Sequence, residues 1–131
     1  MENVYPQLAK TLHKEVRDVM DQSIDGIKLI MNDTNYSIIE VYFAFLLIFE
    51  AVIDGPKDTP FDGGRFKVKL VFPMNYPTEP PKGYFLTKIF HPNVNWRTGE
   101  ICVDTLKREW KPDLGLRHIL MVIENITSIL L

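Results

Sequence analysis

The sequence predicts an α+β domain made of an N-terminal helix, an antiparallel sheet and a second helix. Two observations carry this prediction. Apolar residues recur at three- and four-residue steps near both ends of the chain, which is the spacing of one face of an amphipathic helix. Between these ends, short segments rich in β-branched and apolar residues are separated by clusters of Gly and Pro, which is typical of strands and turns.

The first predicted helix lies near the amino terminus. Pro6 suits its first turn, where a backbone N–H has no partner within the helix. Charged residues separate the members of an apolar stripe, which consists of Leu8, Leu12, Val16 and Val19. We expect this stripe to face the core.

Three strands are predicted after this helix. A turn at Asp25 and Gly26 leads into the first strand, Ile27 to Met31, and the second lies in the apolar run from Val41 to Phe49. The third, Arg65 to Phe72, alternates strictly between apolar and basic residues, which indicates a sheet with one face exposed to solvent. Two segments rich in Pro and Gly are predicted as surface loops, because Pro cannot continue a strand ladder: Asp54 to Gly64 and Pro73 to Gly83.

The apolar run from Val41 to Phe49 is the most hydrophobic part of the chain. Glu40 and Glu50 limit it to nine residues, well short of the ~20 that cross a bilayer. Its β-branched and aromatic content favours a buried strand or hairpin, with membrane attachment as the alternative.

The second predicted helix lies at the carboxyl end. Its helical spacing continues without a stop signal to Leu131, so we expect the chain to be truncated there. The members of its apolar face are Leu116, Leu120, Ile123 and Ile126. We assign one domain to residues 1–131, since 46% hydrophobic content suffices for one core and no internal repeat divides the chain.

Composition and charge exclude several functional classes. The net charge is −2 and Lys and Arg are scattered, so the chain has no electrostatic footprint for nucleic acid. One cysteine cannot form an internal disulfide, and no zinc-ligand cluster is visible, so we expect a reducing compartment, the cytoplasm or the nucleus. The first residues lack the layout of a secretory signal, and we predict no membrane partner.

That cysteine, Cys102, follows a polar loop. Its apolar neighbours, Ile101 and Val103, are typical of a small core residue. The polar residues just before it, Asn95 to Glu100, are instead typical of an accessible nucleophile, since burial would raise the thiol pKa.

Two residues upstream of Cys102 leave two kinds of chemistry open. His91 suggests a Cys-His proton-transfer pair, and Asn93 suggests a carboxamide donor to an oxyanion. Because Pro92 fixes the local backbone, His91 is also typical of a structural turn residue.

These residues carry a resemblance to a known family. His91-Pro92-Asn93, Gly99 to Cys102, and Trp110 eight positions after the cysteine resemble the active-site signature of the ubiquitin-conjugating enzymes. Parts of the chain are most similar to the subtype that elongates ubiquitin chains with the anaphase-promoting complex, whereas the loop before Cys102 resembles the peroxisomal conjugating enzymes. Three further stretches match the family in order, so the resemblance covers almost the whole chain: Gly55 to Gly64, Phe72 to Pro81 and Phe85 to Val94.

The resemblance implies the ubiquitin-conjugating fold, with an N-terminal helix, a four-stranded antiparallel sheet and a central helix. Family members continue with two more helices, which we expect to be absent here. One extra residue separates Asn93 from Cys102. Residues 41–50 are a predicted insertion, because their deletion would join Glu40 to Ala51 and restore the usual strand length; a lineage-specific hairpin extension and a translated intron both remain open.

The resemblance also implies the chemistry. Cys102 would accept ubiquitin as a thioester from an activating enzyme, and a lysine of a protein substrate or growing ubiquitin chain would then attack it. Asn93 would donate to the oxyanion and His91 would brace the loop. Asp104 would help to receive the lysine, or is simply solvated at the surface. No metal or organic cofactor is implied, and ATP would be consumed upstream by the activating enzyme.

Partner surfaces follow from the same resemblance. Lys10, Lys14 and Arg17 would face the activating enzyme, although such residues are also typical of a solvated helix face. A ubiquitin ligase of the RING type would contact two loops through Pro77, Thr78, Trp110, Lys111 and Pro112. Two alternatives remain: a catalytically inactive variant that serves as a binding module, and an unrelated scaffold with a buried cysteine.

Overall fold

The computed structural model describes residues 4–30 and 47–128. Helix α1 precedes a four-stranded antiparallel sheet of order β1-β2-β3-β4, and two further helices follow. The elements are α1 (Val4–Asp21), β1 (Ile27–Ile30), β2 (Leu47–Asp54), β3 (Arg65–Phe72), β4 (Lys82–Phe85), α2 (Val103–Lys107) and α3 (Gly115–Ser128). This is the α+β architecture that the sequence predicts.

The sheet buries one face and exposes the other. Ala51 of β2 pairs with Leu29 of β1 and Val68 of β3, which places it in the middle of the sheet. Along β3, alternate residues are buried and the basic residues between them point outward. The predicted alternation is therefore confirmed, and the buried face meets the helices in a common core.

Strand β2 begins later and ends later than the apolar run that predicted it. Leu47 pairs with Phe72 and Phe49 with Leu70, and the strand continues to Asp54. Residues 41–46 of the predicted insertion lie outside the described residues, as does Met31 of the first predicted strand. Residues 47–50 pair with β3 as part of β2. The insertion of residues 41–50 stays a prediction.

Strand β4 corrects one predicted boundary. The sequence predicts Lys82 and Gly83 at the end of the proline-rich loop from Pro73 to Gly83, but they pair with Val71 and Leu70 of β3. Proline is tolerated at the start of a strand, so Pro81 ends the loop without preventing the pairing. Gly83 is buried, and a Cβ at this position would come within 2.8 Å of the Ile101 side chain. The glycine lets β4 approach the cysteine loop closely.

The two long helices pack on each other. The predicted stripes of α1 and α3 are buried throughout, with relative exposures of 6% or less. Arg117 of α3 forms an ion pair with Asp18 at 3.2 Å and also donates to the backbone carbonyls of Asp18 and Gln22. The guanidinium thus binds the carboxyl end of α1, where it adds a second donor to the Asp18 carbonyl and supplies one to the Gln22 carbonyl. No helix within residues 4–30 and 47–128 is long and apolar enough to cross a membrane.

Candidate active site

Cys102 lies on the protein surface, at the residue that precedes α2. The segment before it is held against β4, where Ile101 N–H donates to Gly83 O at 2.8 Å and Phe85 N–H donates to Gly99 O at 2.7 Å. Ile101 itself is 1% exposed. The chain therefore anchors a buried neighbour in the core and leaves the thiol accessible, unlike the small core residue that its apolar neighbours suggested.

The start of α2 lowers the pKa of the Cys102 thiol. The largest cause is the backbone N–H of Thr105, followed by the N–H of Asp104 and the Thr105 hydroxyl, all of which stabilise the thiolate. The negative charge of Asp104 opposes this shift. An exposed thiol with a lowered pKa meets both requirements of a nucleophilic cysteine.

Asn93 lies beside Cys102, and both its backbone N–H and its backbone carbonyl form hydrogen bonds. Its N–H donates to Nδ1 of His91 at 3.0 Å, and its carbonyl accepts from the N–H of Cys102 at 2.7 Å. Asn93 and Cys102 line one shallow cavity of ≈ 370 Å³ together with Pro92 and Glu100. The carboxamide of Asn93 has no hydrogen bond to any residue that the structure describes, so it remains available to a bound group.

His91 is buried behind the loop, 7% exposed. Burial lowers its pKa, and the backbone carbonyl of Ile126 in α3 opposes this shift. Its Nδ1 accepts from Asn93, and its buried Nε2 meets no partner at hydrogen-bond geometry among the described residues. His91 thus holds the backbone of Asn93, and the residues around the Cys102 cavity do not include it.

The extra residue between Asn93 and Cys102 is absorbed by a closed loop. Asn95 N–H donates to Glu100 O at 2.9 Å, and Gly99 N–H donates back to Asn95 O at 2.7 Å. The side-chain oxygen of Asn95 accepts from the N–H groups of Arg97 and Thr98. Because this loop closes on itself, the added residue does not separate Asn93 from Cys102.

The remaining candidate residues lie at the surface. Asp104 is exposed in the first turn of α2. Lys10 and Lys14 line a groove of ≈ 540 Å³ between α1 and the segment that enters α3. Arg17, Thr78, Lys111 and Pro112 are exposed, and Pro77 is half-buried.

The two loops predicted to contact a ligase are joined to each other. The indole N–H of Trp110 donates to Pro77 O at 3.0 Å, and the Trp110 ring packs against Tyr76 and His118. The peptide bond between Tyr76 and Pro77 is cis. Trp110 therefore fixes one loop against the other. No group of three or more His, Cys, Asp or Glu side chains within the described residues is arranged to hold a metal ion.

Comparison with known proteins assigns the chain to a family. The family model described as Ubiquitin-conjugating enzyme matches residues 11–129. The chain belongs to the ubiquitin-conjugating enzyme family.

Individual relatives agree with this assignment. A protein named Ubiquitin-conjugating enzyme E2 S, from Branchiostoma floridae, is 45% identical over 124 residues, which are 95% of this chain and 53% of the relative. Ubiquitin-conjugating enzyme E2 22, from Arabidopsis thaliana, is 47% identical over 122 residues, which are 93% of this chain and 44% of the relative. The chain thus spans about half the length of the curated relatives that it matches.

Solved structures of ubiquitin-conjugating enzymes share the fold. Human Ubiquitin-conjugating enzyme E2 G1 matches with a TM-score of 0.77 and 28% identity, covering 94% of this chain and 96% of that one. The E2 domain of a Toxoplasma gondii ubiquitin conjugating enzyme matches with a TM-score of 0.71 and 35% identity, covering 92% and 74%. The predicted fold class and the predicted family are confirmed.

Sequence reasoning missed one member of this candidate site. Thr105 provides the largest contribution to the lowered pKa of Cys102, through its backbone N–H. The signal was present, because a cysteine directly before a short helix receives N–H groups of the first turn. Helix α2 has only five residues, which is too short for a helical period to be visible in the sequence.

Proposed function

We propose that this chain is the catalytic domain of a ubiquitin-conjugating enzyme in which Cys102 carries ubiquitin as a thioester. The observation that carries the proposal is the exposed Cys102 thiol, with its pKa lowered by the first turn of α2 and the Asn93 carboxamide in the same cavity. This arrangement suits acyl transfer by a thiolate next to an oxyanion donor.

Two transfers make up the proposed reaction. The Cys102 thiolate attacks the carbonyl carbon of the thioester on the activating enzyme, a new C–S bond forms and the thiolate of the activating enzyme leaves. A lysine amine then attacks the Cys102 thioester, its C–N bond forms, the C–S bond breaks and Cys102 leaves as a thiolate. The lysine proton passes to solvent or to an acceptor such as Asp104. ATP is consumed upstream, and the chain itself uses no cofactor.

Asn93 is proposed to stabilise the oxyanion in both transfers. Its backbone is held by His91 and Cys102, and the carboxamide has no hydrogen bond to a described residue. Donors of this kind contribute roughly 3 kcal/mol to the transition state in other enzymes. His91 acts as a positioning residue, and exposed Asp104 attracts the lysine ammonium.

The partners are proposed from the family and from two surfaces. The groove lined by Lys10 and Lys14 suits the activating enzyme, with exposed Arg17 on the same helix. The joined loops at Pro77 and Trp110 suit a ligase of the RING type, with Thr78, Lys111 and Pro112 beside them. The resemblance of parts of the chain to the chain-elongating subtype supports a growing ubiquitin chain as acceptor alongside other protein substrates. The lone exposed thiol supports the cytoplasm or nucleus as its location.

A charging assay tests the proposal. The protein is incubated with activating enzyme, ATP and ubiquitin, and the products are separated with and without reductant. We expect a reductant-sensitive adduct that Cys102→Ala lacks and that Cys102→Ser converts into a reductant-resistant ester. A folded protein that forms no adduct would support the inactive binding module, or a different modifier if a ubiquitin-like protein is accepted instead.

The role of Asn93 has its own test. With pre-charged protein, Asn93→Ala should slow discharge to free lysine about 100-fold, the magnitude expected for one lost oxyanion donor. The pH profile of thiol alkylation should not change, because Asn93 does not contribute to the lowered pKa of Cys102. Equal discharge rates for the variant and the unsubstituted protein would contradict the role.

A further inference from the structure

An apolar cleft of ≈ 580 Å³ lies next to the Cys102 cavity. Its lining is formed mainly by Phe90, Pro92, Val94 and Trp96, and two of these, Pro92 and Val94, also line the Cys102 cavity. Phe90 is 76% exposed and Trp96 is 55% exposed. Large apolar side chains grouped around one cleft, and left in solvent, mark a surface for interaction.

Trp96 lies on a loop whose backbone is ordered by hydrogen bonds, and its ring is exposed. The Asn95 side chain binds the N–H groups of Arg97 and Thr98, which fixes the backbone on the far side of the tryptophan. The indole N–H of Trp110 donates to a carbonyl, whereas no described residue accepts from the indole N–H of Trp96. The cleft therefore presents an exposed aromatic ring with an available donor.

The rim of the cleft is positively charged. Nζ of Lys88 and the guanidinium of Arg97 each lie 5.4 Å from the centroid of the Trp96 ring. Neither cation has an ion-pair partner among the described residues. An apolar cleft with an unpaired cationic rim is complementary to a segment that carries an apolar side chain and a carboxylate.

We infer that this cleft, the Phe90–Trp96 cleft, binds the segment of the acceptor protein around the target lysine and favours an apolar and an acidic residue beside that lysine. The inference rests on the proposed function of Cys102. Because the cleft and the Cys102 cavity share two lining residues, a segment seated on Trp96 brings its lysine towards the thioester. The cleft then selects acceptors through binding, and the chemistry at Cys102 is unchanged.

Single-turnover discharge to peptides tests this selection. Three acceptor peptides carry one lysine and differ only beside it: Leu with Glu, Ser with Glu, and Leu with Lys. We expect the Leu/Glu peptide to reach half-maximal discharge at about tenfold lower concentration than the other two, with a similar maximal rate. The advantage should shrink at high salt, since the rim charges are exposed.

Substitutions in the cleft test whether it is responsible for the preference among the three peptides. Trp96→Ala and Phe90→Ser should each remove most of the Leu/Glu advantage, without altering charging or discharge to free lysine. Ile48→Ser is the matched control, because Ile48 is 43% exposed on β2 and does not line the cleft. Lys88→Glu combined with Arg97→Glu should reverse the preference towards the Leu/Lys peptide.

Equal discharge of the three peptides, or Trp96→Ala behaving like Ile48→Ser, would overturn the inference. Concentration-dependent self-association that Trp96→Ala abolishes would also overturn it, by assigning the cleft to a second copy of the chain. Amide shift perturbations in the uncharged protein separate this inference from the proposed function. Leu/Glu-specific shifts at residues 88–97 support the cleft even if no thioester forms, and their absence refutes it.

Discussion

Two opposing effects act on the pKa of the Cys102 thiol. The N–H groups of Thr105 and Asp104 and the Thr105 hydroxyl lower its pKa, and the Asp104 carboxylate raises it. A lower thiol pKa increases the thiolate fraction available for attack and makes the same sulfur a better leaving group later. Asp104 opposes that gain, which is consistent with a separate role towards the incoming amine.

The Thr105 hydroxyl should have a measurable effect on the thiol. Thr105→Val keeps the size of the side chain and removes the donor, so the pKa of Cys102 should rise and iodoacetamide alkylation at neutral pH should slow. Thr105→Ser keeps the hydroxyl and serves as the control. The pH profile of the alkylation rate gives the titration directly, and coincident profiles for Val and Ser would contradict the assignment.

His91 should make stability depend on pH. Burial lowers its pKa below the unfolded value of about 6.5. Between the folded and the unfolded pKa, the unfolded chain therefore binds more protons than the folded chain. The stability associated with neutral His91 is therefore present above that pH and is lost as the pH falls towards the folded pKa. His91→Asn keeps an acceptor for the Asn93 N–H and removes the titration.

Melting temperatures between pH 8 and pH 5, measured for the unsubstituted protein and for His91→Asn, test the direction of this pH dependence. Glu15 and Glu124, whose pKa values are raised by burial, are common to both proteins and cancel in the difference. We expect the unsubstituted protein to lose more stability on acidification than His91→Asn does. Parallel curves would show that His91 titrates alike in the folded and unfolded chains.

At the scale of elements, a half-buried carboxylate joins α1 to α3 and to the loop after β3. Glu15 accepts from the Tyr76 hydroxyl, with oxygen distances of 2.9 and 2.7 Å, and from the N–H of Leu116. Burial raises the pKa of Glu15, and these two hydrogen bonds partly offset the shift. The same burial and the Glu15 charge raise the pKa of Tyr76. Gly115 makes room for the carboxylate.

Gly115→Ala should lower the free energy of unfolding for two reasons, and the matched change Gly63→Ala separates them. Gly115 has φ +75°, and a Cβ there would collide with the Glu15 carboxylate. Gly63 has φ +82° but nothing within 4 Å of its Cβ position. We expect Gly63→Ala to lose about 1 kcal/mol from backbone strain alone, and Gly115→Ala to lose at least ~1 kcal/mol more. Denaturant unfolding measures both, and equal losses would exclude the collision.

The elements differ in how far the sequence predicts them. Helices α1 and α3 were predictable because their apolar faces repeat locally every three or four residues. Strand β4 was implied only by the family resemblance and not by a local pattern, because its four residues follow two prolines and its identity depends on pairing with β3. The Glu15–Tyr76 contact spans 61 positions, and no local pattern records it. The signature around Cys102 predicted the proposed nucleophile, whereas the Thr105 contribution to its pKa required the geometry of α2.

At the scale of the whole molecule, the proposed partner surfaces are continuous. The groove lined by Lys10 and Lys14 is completed by Asp113, Leu114 and Arg117, and Asp113 lies next to Pro112 of the proposed ligase surface. Trp110 in turn holds Pro77 of the other loop. A partner that covers the groove therefore reaches residues next to the proposed ligase surface, so we expect the two partners to bind one at a time.

Charge reversal on α1 tests the first of these partners. Exposed cations speed association with a protein of opposite charge and contribute less as salt rises. Lys10→Glu with Lys14→Glu should lower the rate constant for charging by activating enzyme about tenfold at low salt, and less at 0.5 M salt. Lys82→Glu, an exposed site on β4, should have little effect. The alkylation rate of Cys102 should be the same in all three proteins, so slower charging with unchanged alkylation identifies docking as the step affected. A double variant that charges normally at low salt would instead leave these lysines as a solvated helix face.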